Sequence, residues 1–200
     1  MPSLLARKWD RASRVYDRQT RADDYRFGAA KRRLFARMEG RCLMLATGTG
    51  GDFHHFPPGL DVVAIDISAG MLERARLRAA AYPGRLALAR MDARRLAFPD
   101  ATFDTVVTVC TFCSVPEPVL GLRELRRVVS PSGRILLFEH VRSRWTPIAV
   151  MQDLLTPITR RFGPDMNRDT ATNVTRAGFR IIREENVYLD VVRAWEAEPA

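Results

Sequence analysis

The chain has 200 residues, a length that fits one domain and buries enough surface to fold without disulfides or a structural metal. Its hydrophobic content of 46% and charged content of 28% indicate an ordinary globular protein, and no apolar stretch approaches the ~20 residues of a membrane-spanning helix. The N-terminus carries charges where a signal peptide has its apolar core, and three cysteines are too few for a disulfide framework, so we expect a cytoplasmic protein.

Positive charge is concentrated at the N-terminal end. The formal net charge is +9, and residues 1–41 carry twelve Lys or Arg against five Asp or Glu. Such clustering is typical of proteins that meet an anionic surface, which can be lipid headgroups or nucleic acid.

Residues 1–38 have the periodicity of amphipathic helix. Four residues at helical spacing form an apolar stripe: Leu5, Trp9, Ala12 and Tyr16. Four arginines repeat this spacing two positions later and form an arginine face on the opposite side: Arg7, Arg11, Arg14 and Arg18. We expect a break near Phe27–Gly28, followed by a second basic helix over residues 29–39.

After Gly40 the pattern alternates between strands and helices. Strand-like apolar runs occupy 42–46, 62–66, 86–90, 104–110 and 134–139, and helical segments occupy 69–80, 117–129 and 148–161. Runs that are apolar on both faces predict parallel strands covered by helices, hence an α/β doubly wound sheet. Two late segments, 178–189 and 190–197, predict an antiparallel pair at the sheet edge. We therefore expect basic helices over residues 1–40 and an α/β domain over residues 41–200.

A glycine-rich loop follows the first predicted strand. The stretch "LMLATGTGGDFHHFPPGLDVVAIDIS" (43–68) contains Gly48, Gly50 and Gly51, and its second apolar run ends in Asp66. Glycines in such a turn let backbone N–H groups approach a ligand, and an acid at the tip of the next strand can bind ribose hydroxyls. The loop therefore indicates a nucleoside-cofactor site, although a plain tight turn would show the same glycines.

Further motifs follow in order along the chain: "MDARRLAFPDATFDTVVTVC" (91–110), "SVPEPVLGLRELRRVVSPSGRILLFEHV" (114–141) and "AGFRIIREENVY" (177–188). Together with the glycine loop they resemble class I S-adenosylmethionine-dependent methyltransferases over roughly residues 9 to 190. Within this family the chain resembles small bacterial phospholipid N-methyltransferases and ubiquinone/menaquinone-type methyltransferases, and "FCSVPEP" and "FEHV…NRDT" resemble a membrane-associated thiol methyltransferase subgroup. The resemblance implies a Rossmann-like, mostly parallel seven-stranded sheet with an antiparallel edge strand, and S-adenosyl-L-methionine as cofactor.

The resemblance also implies a set of cofactor-binding residues. Gly48 and Gly50 would lie under the methionine part, Asp66 would bind the ribose, and Met71 would pack on the adenine. Asp92, with the backbone of Ala93, would bind the adenine amino group unless it is a solvated turn acid. Asp104 is expected to be structural. The complete predicted set is Tyr16, Ala46, Thr47, Gly48, Gly50, Asp66, Ile67, Met71, Asp92, Ala93 and Thr111, with Thr111 near the sulfonium end.

The chain departs from the family at two positions of the loop. Met44 stands where the family has an acid that helps to orient the cofactor's amino group, and Ala46 stands where it has the first glycine. Ala46 adds only one methyl group. Met44 removes a carboxylate, for which Asp52 is the suspected substitute.

His140 and Tyr16 are the candidate catalytic residues. His140 ends the fifth strand, on the side where open α/β sheets bind ligands, so it could accept a proton or could be a structural histidine. Glu139 is the weaker candidate for the base. Tyr16 belongs to "RVYDRQT", which resembles the "YD" element of lipid and quinone methyltransferases, where the helix folds over the cofactor as a lid; the alternative is a core aromatic.

Apolar residues are frequent in segment 143–170, where relatives build the acceptor pocket: Trp145, Ile148, Met151, Leu154, Ile158, Phe162 and Met166. They favour an apolar or amphiphilic acceptor, or they simply pack on the sheet. Asp169 or Asn167 is expected to cap the helix that follows.

Metal and redox chemistry are not expected. "CTFC" (110–113) has CxxC spacing but no second pair, and Cys110 ends a buried strand. His54 and His55 lack a third ligand in the sequence, so we predict no metal site.

Our leading functional hypothesis is phosphatidylethanolamine-type N-methylation at an anionic membrane surface, on the inner face of the cytoplasmic membrane. Quinone-biosynthesis C-methylation and small-molecule thiol S-methylation are the alternatives. A nucleic-acid acceptor is disfavoured because the N/D-P-P-Y motif is missing after the fourth strand and no recognition domain is evident. A non-catalytic binding module would follow if Met44 abolished cofactor binding. The sequence leaves the oligomeric state open.

Overall fold

The computed structural model describes residues 3–162 and 164–200, without the side chain of Phe162. The expectations for Met1, Pro2, the Phe162 side chain and Gly163 lie outside these residues. Eight elements of the first part are α1 Leu4–Gln19, α2 Arg21–Phe35, β1 Arg41–Leu45, a 3₁₀ helix Phe53–His55, β2 Asp61–Asp66, α3 Ala69–Ala80, β3 Arg85–Arg90 and β4 Phe103–Val109. The second part contains α4 Pro118–Val128, β5 Val129–His140, α5 Thr146–Phe162, α6 Thr170–Arg176, β6 Phe179–Tyr188 and β7 Val192–Pro199.

The strands form one seven-stranded sheet with the order β3-β2-β1-β4-β5-β7-β6. The first five strands pair in parallel, and β7 runs antiparallel between β5 and the edge strand β6. The predicted doubly wound α/β fold, with its antiparallel pair at one edge, is therefore confirmed. The order reverses between β1 and β4, and ligands of such sheets bind at this switch point, outside the carboxyl ends of the strands.

Strand β5 begins five residues before the predicted run at 134–139. Val129 pairs with Phe103 and Arg134 pairs with Thr105, so the "SPSG" turn (130–133) bulges out within the strand. Gly133 is required at this bulge because a Cβ there would lie 2.7 Å from the Asp104 carbonyl oxygen.

The predicted helix break near Phe27–Gly28 is wrong. The chain breaks instead at Thr20, whose φ of −95° and ψ of 3° end α1, and α2 continues through Gly28 to Phe35. Gly28 stays helical because neighbouring side chains lie against its bare backbone: a Cβ would be 3.0 Å from Asp24 Oδ1 and 3.3 Å from His55 Cε1. The glycine signals close packing and not a turn.

The core consists of two apolar layers, one on each face of the sheet. Alternate residues of β1 point to opposite layers, with Leu43 and Leu45 in one and Cys42 and Met44 in the other. Helices α4 and α6 cover the first layer, and α2 and α3 cover the second. Met44, which stands where the resemblance places an acid in related proteins, is fully buried among apolar side chains.

Helix α5 is held to the sheet by a buried glutamine. Gln152 Oε1 accepts a hydrogen bond from Ser143 N, and Gln152 Nε2 donates to the carbonyl oxygens of Val141 and Met166 at 2.9 Å each. At its far end, Lys8 Nζ of α1 donates to the Arg160 carbonyl oxygen at 2.9 Å. Asp169 caps α6 by accepting a hydrogen bond from Thr172 N, as predicted. Among the described residues, no helix combines the length and apolar character needed to cross a bilayer.

Gly40→Ala should destabilise the fold. Gly40 has a φ of +62°, and a Cβ there would lie 2.2 Å from Asp104 Oδ2, the atom that accepts a hydrogen bond from Arg41 N at 2.8 Å. Strain at positive φ and the displaced carboxylate together should cost about 2 to 4 kcal/mol of unfolding free energy, measured by urea denaturation.

Gly59→Ala is the matched control. Its φ of +83° is equally unfavourable for alanine, but no atom lies within 4 Å of its Cβ position. Its cost should be about 1 kcal/mol. Equal losses in the two variants would contradict the structural role of Asp104.

Candidate active site

Two adjoining cavities lie at the carboxyl ends of the parallel strands. The narrow cavity, about 80 Å³, lies between the glycine loop, the tip of β2 and α1. The large cavity, about 730 Å³, lies between α1, α2 and the carboxyl ends of β4 and β5. The residues common to both walls are Trp9, Tyr16, Ala46, Val109, Cys110 and Ser114.

Most of the predicted cofactor residues line the narrow cavity: Tyr16, Ala46, Gly48, Asp66, Ile67, Met71, Asp92, Ala93 and Thr111. Thr47 lines the large cavity instead. Gly50 is in the wall of neither cavity, and a Cβ there would lie 2.5 Å from the Phe53 ring. Gly50 therefore makes room for Phe53 beneath the loop, and its predicted contact with the cofactor stays a prediction.

Asp66 joins the glycine loop to the turn before α3. Its buried carboxylate accepts hydrogen bonds from Gly48 N at 2.8 Å and from Ser68 N at 2.9 Å. Burial raises the pKa of Asp66, while these backbone hydrogen bonds oppose the shift. Each carboxylate oxygen keeps a second lone pair, so Asp66 can still accept a hydrogen bond from a ligand hydroxyl at the cavity wall.

The glycine loop itself contains a strained residue. Ala46 has a φ of +53°, a left-handed conformation that glycine adopts at much lower cost. The next residue, Thr47, donates its backbone N–H to Ile65 O at 2.9 Å, and its buried hydroxyl has no hydrogen-bond partner among the described residues.

Helix α1 closes the narrow cavity from above. Leu5, Trp9 and Tyr16 of the predicted apolar stripe line it, and the Tyr16 ring lies 3.6 Å from the position of a Cβ on Gly48. Burial raises the pKa of Tyr16, so its phenol stays protonated and can donate a hydrogen bond but cannot act as a base. The predicted lid helix therefore lies over the glycine loop, and the catalytic role of Tyr16 stays a prediction.

Two aspartates that the sequence analysis missed attach α1 to the cofactor loops. Asp10 accepts hydrogen bonds from the Ser68 hydroxyl at 2.6 Å and from Gly70 N at 3.0 Å, and these bonds lower its pKa. Asp17 accepts from the Thr49 hydroxyl at 2.6 Å and pairs with Arg78 at 3.1 Å. Their seven-residue spacing places both on one helix face, which was the available signal.

Asp92 is engaged by a neighbouring arginine. Its carboxylate accepts hydrogen bonds from the backbone N–H and both sides of the guanidinium of Arg94, at 2.9 to 3.1 Å, and these bonds lower the pKa of Asp92. Arg94 also pairs with Glu117 at 2.9 Å. Asp92 is thus a partly exposed, ion-paired acid at the cavity wall, and its predicted contact with adenine stays a prediction.

Glu139 holds the loop after β4. Its buried carboxylate accepts hydrogen bonds from Thr111 N at 3.0 Å, Phe112 N at 3.1 Å and the Thr108 hydroxyl at 3.0 Å. Burial raises its pKa to about 7, against the effect of these donors. Glu139 is in the wall of neither cavity. Its contacts make it an anchor that positions Thr111.

The large cavity contains His140 and charged residues of α2. Burial lowers the pKa of His140, while the carboxylate of Asp23 raises it and Lys31 lowers it further. Lys31 donates to Asp52 Oδ1 at 2.8 Å, so the carboxylate suspected of replacing Met44 is paired with a lysine. Among the described residues, no hydrogen bond or ion pair engages the carboxylate of Asp23, a residue that the sequence analysis missed.

The apolar segment 143–170 lines the large cavity less than expected. Of its described predicted side chains, only Ile158 reaches the wall. Trp145, Met151 and Leu154 are exposed to solvent because they lie on the outer face of α5 or just before it. The alternative that these three residues pack on the sheet is therefore wrong, and their contact with the acceptor stays a prediction.

The cysteines are thiols. Burial raises the pKa of Cys110 and Cys113, and Cys113 Sγ donates to the Cys110 carbonyl oxygen at 3.1 Å. A protonated thiol is a poor nucleophile and a poor metal ligand, and the expectation of no redox chemistry stays a prediction.

The sequence analysis found no third candidate ligand for His54 and His55, and the structure places the carboxylate of Asp24 beside them, while the expectation of no metal site stays a prediction. Asp24 of α2 places Oδ1 3.2 Å from His54 Nε2 and 2.7 Å from His55 Nε2. Asp24 is thirty residues away in the sequence, and only the packing of α2 on the 3₁₀ helix brings the three side chains together.

The chain is similar in sequence to known methyltransferases. A family described as "Methyltransferase domain" matches residues 43–137. The chain is 33% identical over 163 residues to a phosphatidylethanolamine N-methyltransferase of Cereibacter sphaeroides, an alignment that covers 77% of this chain and 80% of that protein. The chain therefore belongs to the class I S-adenosylmethionine-dependent methyltransferases.

Other relatives differ in the acceptor that their names state. A thiol S-methyltransferase of Homo sapiens is 30% identical, covering 78% of this chain and 69% of its own. A demethylmenaquinone methyltransferase of Clavibacter sepedonicus is 38% identical, covering 69% of this chain and 58% of its own. A solved methyltransferase structure from Thermotoga maritima shares the fold with a TM-score of 0.75 at 16% identity, covering 97% of this chain and 99% of that one.

The protein is thus a methyltransferase that uses S-adenosyl-L-methionine, and residues around the narrow cavity have the chemistry to hold parts of that cofactor. The bare Gly48 backbone beneath Tyr16 and the carboxylate of Asp66, which has about four acceptor sites, are suited to a polar nucleoside ligand. When bound, the cofactor supplies an electrophilic methyl group. This chain's residues hold it, exclude water and align the acceptor.

Ala46→Gly should stabilise the protein. Glycine relieves the strain of the positive φ at this position but loses more backbone entropy on folding. The free energy of unfolding should rise by about 0.5 to 1 kcal/mol, as measured by urea denaturation. Because Ala46 also lines the narrow cavity, affinity for S-adenosylhomocysteine should be equal or higher by calorimetry.

Ala101→Gly is the matched control, since Ala101 is exposed and has the same φ of +53°. It should give the same gain in stability with unchanged ligand affinity. Weaker ligand binding by Ala46→Gly alone would show that the alanine methyl group contributes to binding.

Proposed function

We propose that this methyltransferase acts on a lipid-like, amphiphilic acceptor, and that the reaction is N-methylation of a phosphatidylethanolamine-type headgroup at a membrane surface. The observation that carries the proposal is the large cavity, which adjoins the narrow cavity and combines a free carboxylate with a neutral histidine. The 33% identical phosphatidylethanolamine N-methyltransferase supports the same acceptor class.

The charges of the large cavity suit an amine. A headgroup ammonium must lose a proton before its nitrogen can attack the methyl group, so a base within reach speeds the reaction. The unengaged carboxylate of Asp23 can attract the ammonium ion, and His140, whose pKa is below its usual value of 6.5, is neutral at pH 7 and can accept the proton. A thiolate acceptor would need neither group.

The outer surface suits a membrane. All four residues of the arginine face are exposed: Arg7, Arg11, Arg14 and Arg18. Helix α5 exposes an apolar face and is joined to α1 through Lys8 and the Arg160 carbonyl, so basic and apolar surfaces adjoin. Each arginine near an anionic bilayer contributes ~1 kcal/mol, and apolar side chains add burial in the interface. This combination supports peripheral binding to the inner face of the cytoplasmic membrane.

Acceptor class can be tested directly by transfer of a tritiated methyl group. We expect lipid-soluble product from vesicles that contain phosphatidylethanolamine, with demethylmenaquinone and a panel of small thiols assayed in parallel. Product from the quinone alone would establish the C-methyltransferase alternative, and product from thiols alone would establish the S-methyltransferase alternative. Either result would overturn the phospholipid proposal.

His140→Gln should lower kcat by about 10²-fold or more with unchanged affinity for S-adenosylhomocysteine, because it removes the proton acceptor and leaves the narrow cavity intact. In the parent protein, kcat/KM should fall as the pH drops below 6.5, because His140 becomes protonated in that range. This acidic limb should vanish in His140→Gln.

Asp23→Asn provides the control for the pH profile. Because the Asp23 carboxylate raises the pKa of His140, its removal should move the acidic limb to lower pH. An identical profile in the parent and both variants would exclude His140 as the base.

Replacement of the arginine face by glutamine should weaken binding to anionic vesicles by about 100-fold or more at low salt, with little effect on zwitterionic vesicles, as measured by co-sedimentation. Substitution is preferable to deletion of α1, because deletion would also remove Asp10 and Asp17. A control with the same charge change uses four exposed arginines elsewhere: Arg85, Arg123, Arg176 and Arg180. Equal losses in the two proteins would show that only net charge matters.

A further inference from the structure

A cluster of two imidazoles and one carboxylate lies at the wall of the large cavity. Asp24 is on α2, and His54 and His55 are in the 3₁₀ helix after the glycine loop. Their three donor atoms lie within 4.8 Å of one another, with Asp24 Oδ1 3.2 Å from His54 Nε2 and 2.7 Å from His55 Nε2. Atoms that share one metal ion at about 2 Å each must lie roughly 3 to 4 Å apart, so the cluster needs only small adjustments.

The burial of His55 is a second feature of this cluster. Its side chain is 1% exposed, and neither ring nitrogen has a hydrogen bond to a described residue. Nε2 instead makes an ion-pair contact with Asp24 Oδ1 at 2.7 Å. A metal ion between Nε2 and Oδ1 would bind both atoms in place of this single contact of the buried ring.

The surrounding structure leaves space for this arrangement. A Cβ on Gly28 would lie 3.0 Å from Asp24 Oδ1 and 3.3 Å from His55 Cε1, so the bare helix backbone lets both groups approach. Asp24 and His54 also line the large cavity, whereas His55 lies behind them. An ion held by these three groups would keep open coordination positions toward the cavity.

We propose that Asp24, His54 and His55 bind a divalent transition-metal ion, with Zn²⁺ as the best match to two imidazoles and one carboxylate. Nitrogen ligands select such ions over Mg²⁺ and Ca²⁺, which prefer oxygen. The ion connects α2 to the segment that follows the glycine loop, and its free positions accept water or an oxygen or sulfur atom of a molecule in the large cavity. The proposal is independent of the acceptor proposed above.

Zinc binding should be measured on the full-length protein without an affinity tag, after chelator treatment, by calorimetry and by competition with a chromophoric chelator. We expect one Zn²⁺ per chain that millimolar Mg²⁺ does not displace. Asp24→Asn and His54→Ala should each weaken binding at least about tenfold, because each removes one of three ligands from a partly exposed position that leaves the core intact.

Asp23→Asn is the matched control, since Asp23 neighbours Asp24 on α2 and lines the same cavity but is not in the cluster. It should bind Zn²⁺ like the parent. A double Cys110→Ala and Cys113→Ala variant should also bind normally, and the Co²⁺-loaded protein should lack a sulfur-to-metal charge-transfer band. No stoichiometric binding, unchanged binding in both ligand variants, or loss of binding with the cysteines would each overturn the proposal.

Discussion

The site depends on one buried carboxylate that bridges two loops. Asp66 accepts hydrogen bonds from Gly48 N in the loop after β1 and from Ser68 N in the turn before α3. Parallel strands bring both loops to the same edge of the sheet, this bridge connects them directly, and the narrow cavity lies between them. Residues that depend on it include Ser68, whose hydroxyl caps α3 and contacts the lid helix.

The lid helix is attached to the same two loops. Asp10 binds the turn that Asp66 binds, and Asp17 binds Thr49 in the glycine loop, so α1 and the cofactor loops form one connected unit. With α1 in this position the narrow cavity, about 80 Å³, is well below the roughly 300 to 1,000 Å³ typical of ligand sites. The apolar stripe of α1 thus forms one wall of this cavity, while its arginine face is exposed on the opposite side of the same helix.

Helix α2 performs a comparable task for the large cavity. Its charged residues face inward: Lys31 pairs with Asp52, Asp24 contacts both histidines, and Asp23 stays unengaged near His140. The basic N-terminal region thus has two surfaces of different character. The arginine face of α1 is exposed to solvent, while Asp23 and Asp24 of α2 line the large cavity. The net charge of the region therefore does not by itself indicate what it binds.

The sequence by itself determined the sheet and most of the narrow cavity. The alternation of apolar runs predicts parallel strands, and adjacent strands in a doubly wound sheet bring Gly48, Asp66 and Thr111 to one edge without further information. Only the tertiary structure decided how the helices use their polar residues. Three features depend on packing between segments that are distant in the chain. They are the helix break at Thr20, the position of Asp23 in the wall of the large cavity, and the contact of Asp24 with His54 and His55. Each of these contacts involves a single side chain, so it produces no repeating pattern in the sequence from which it could be predicted.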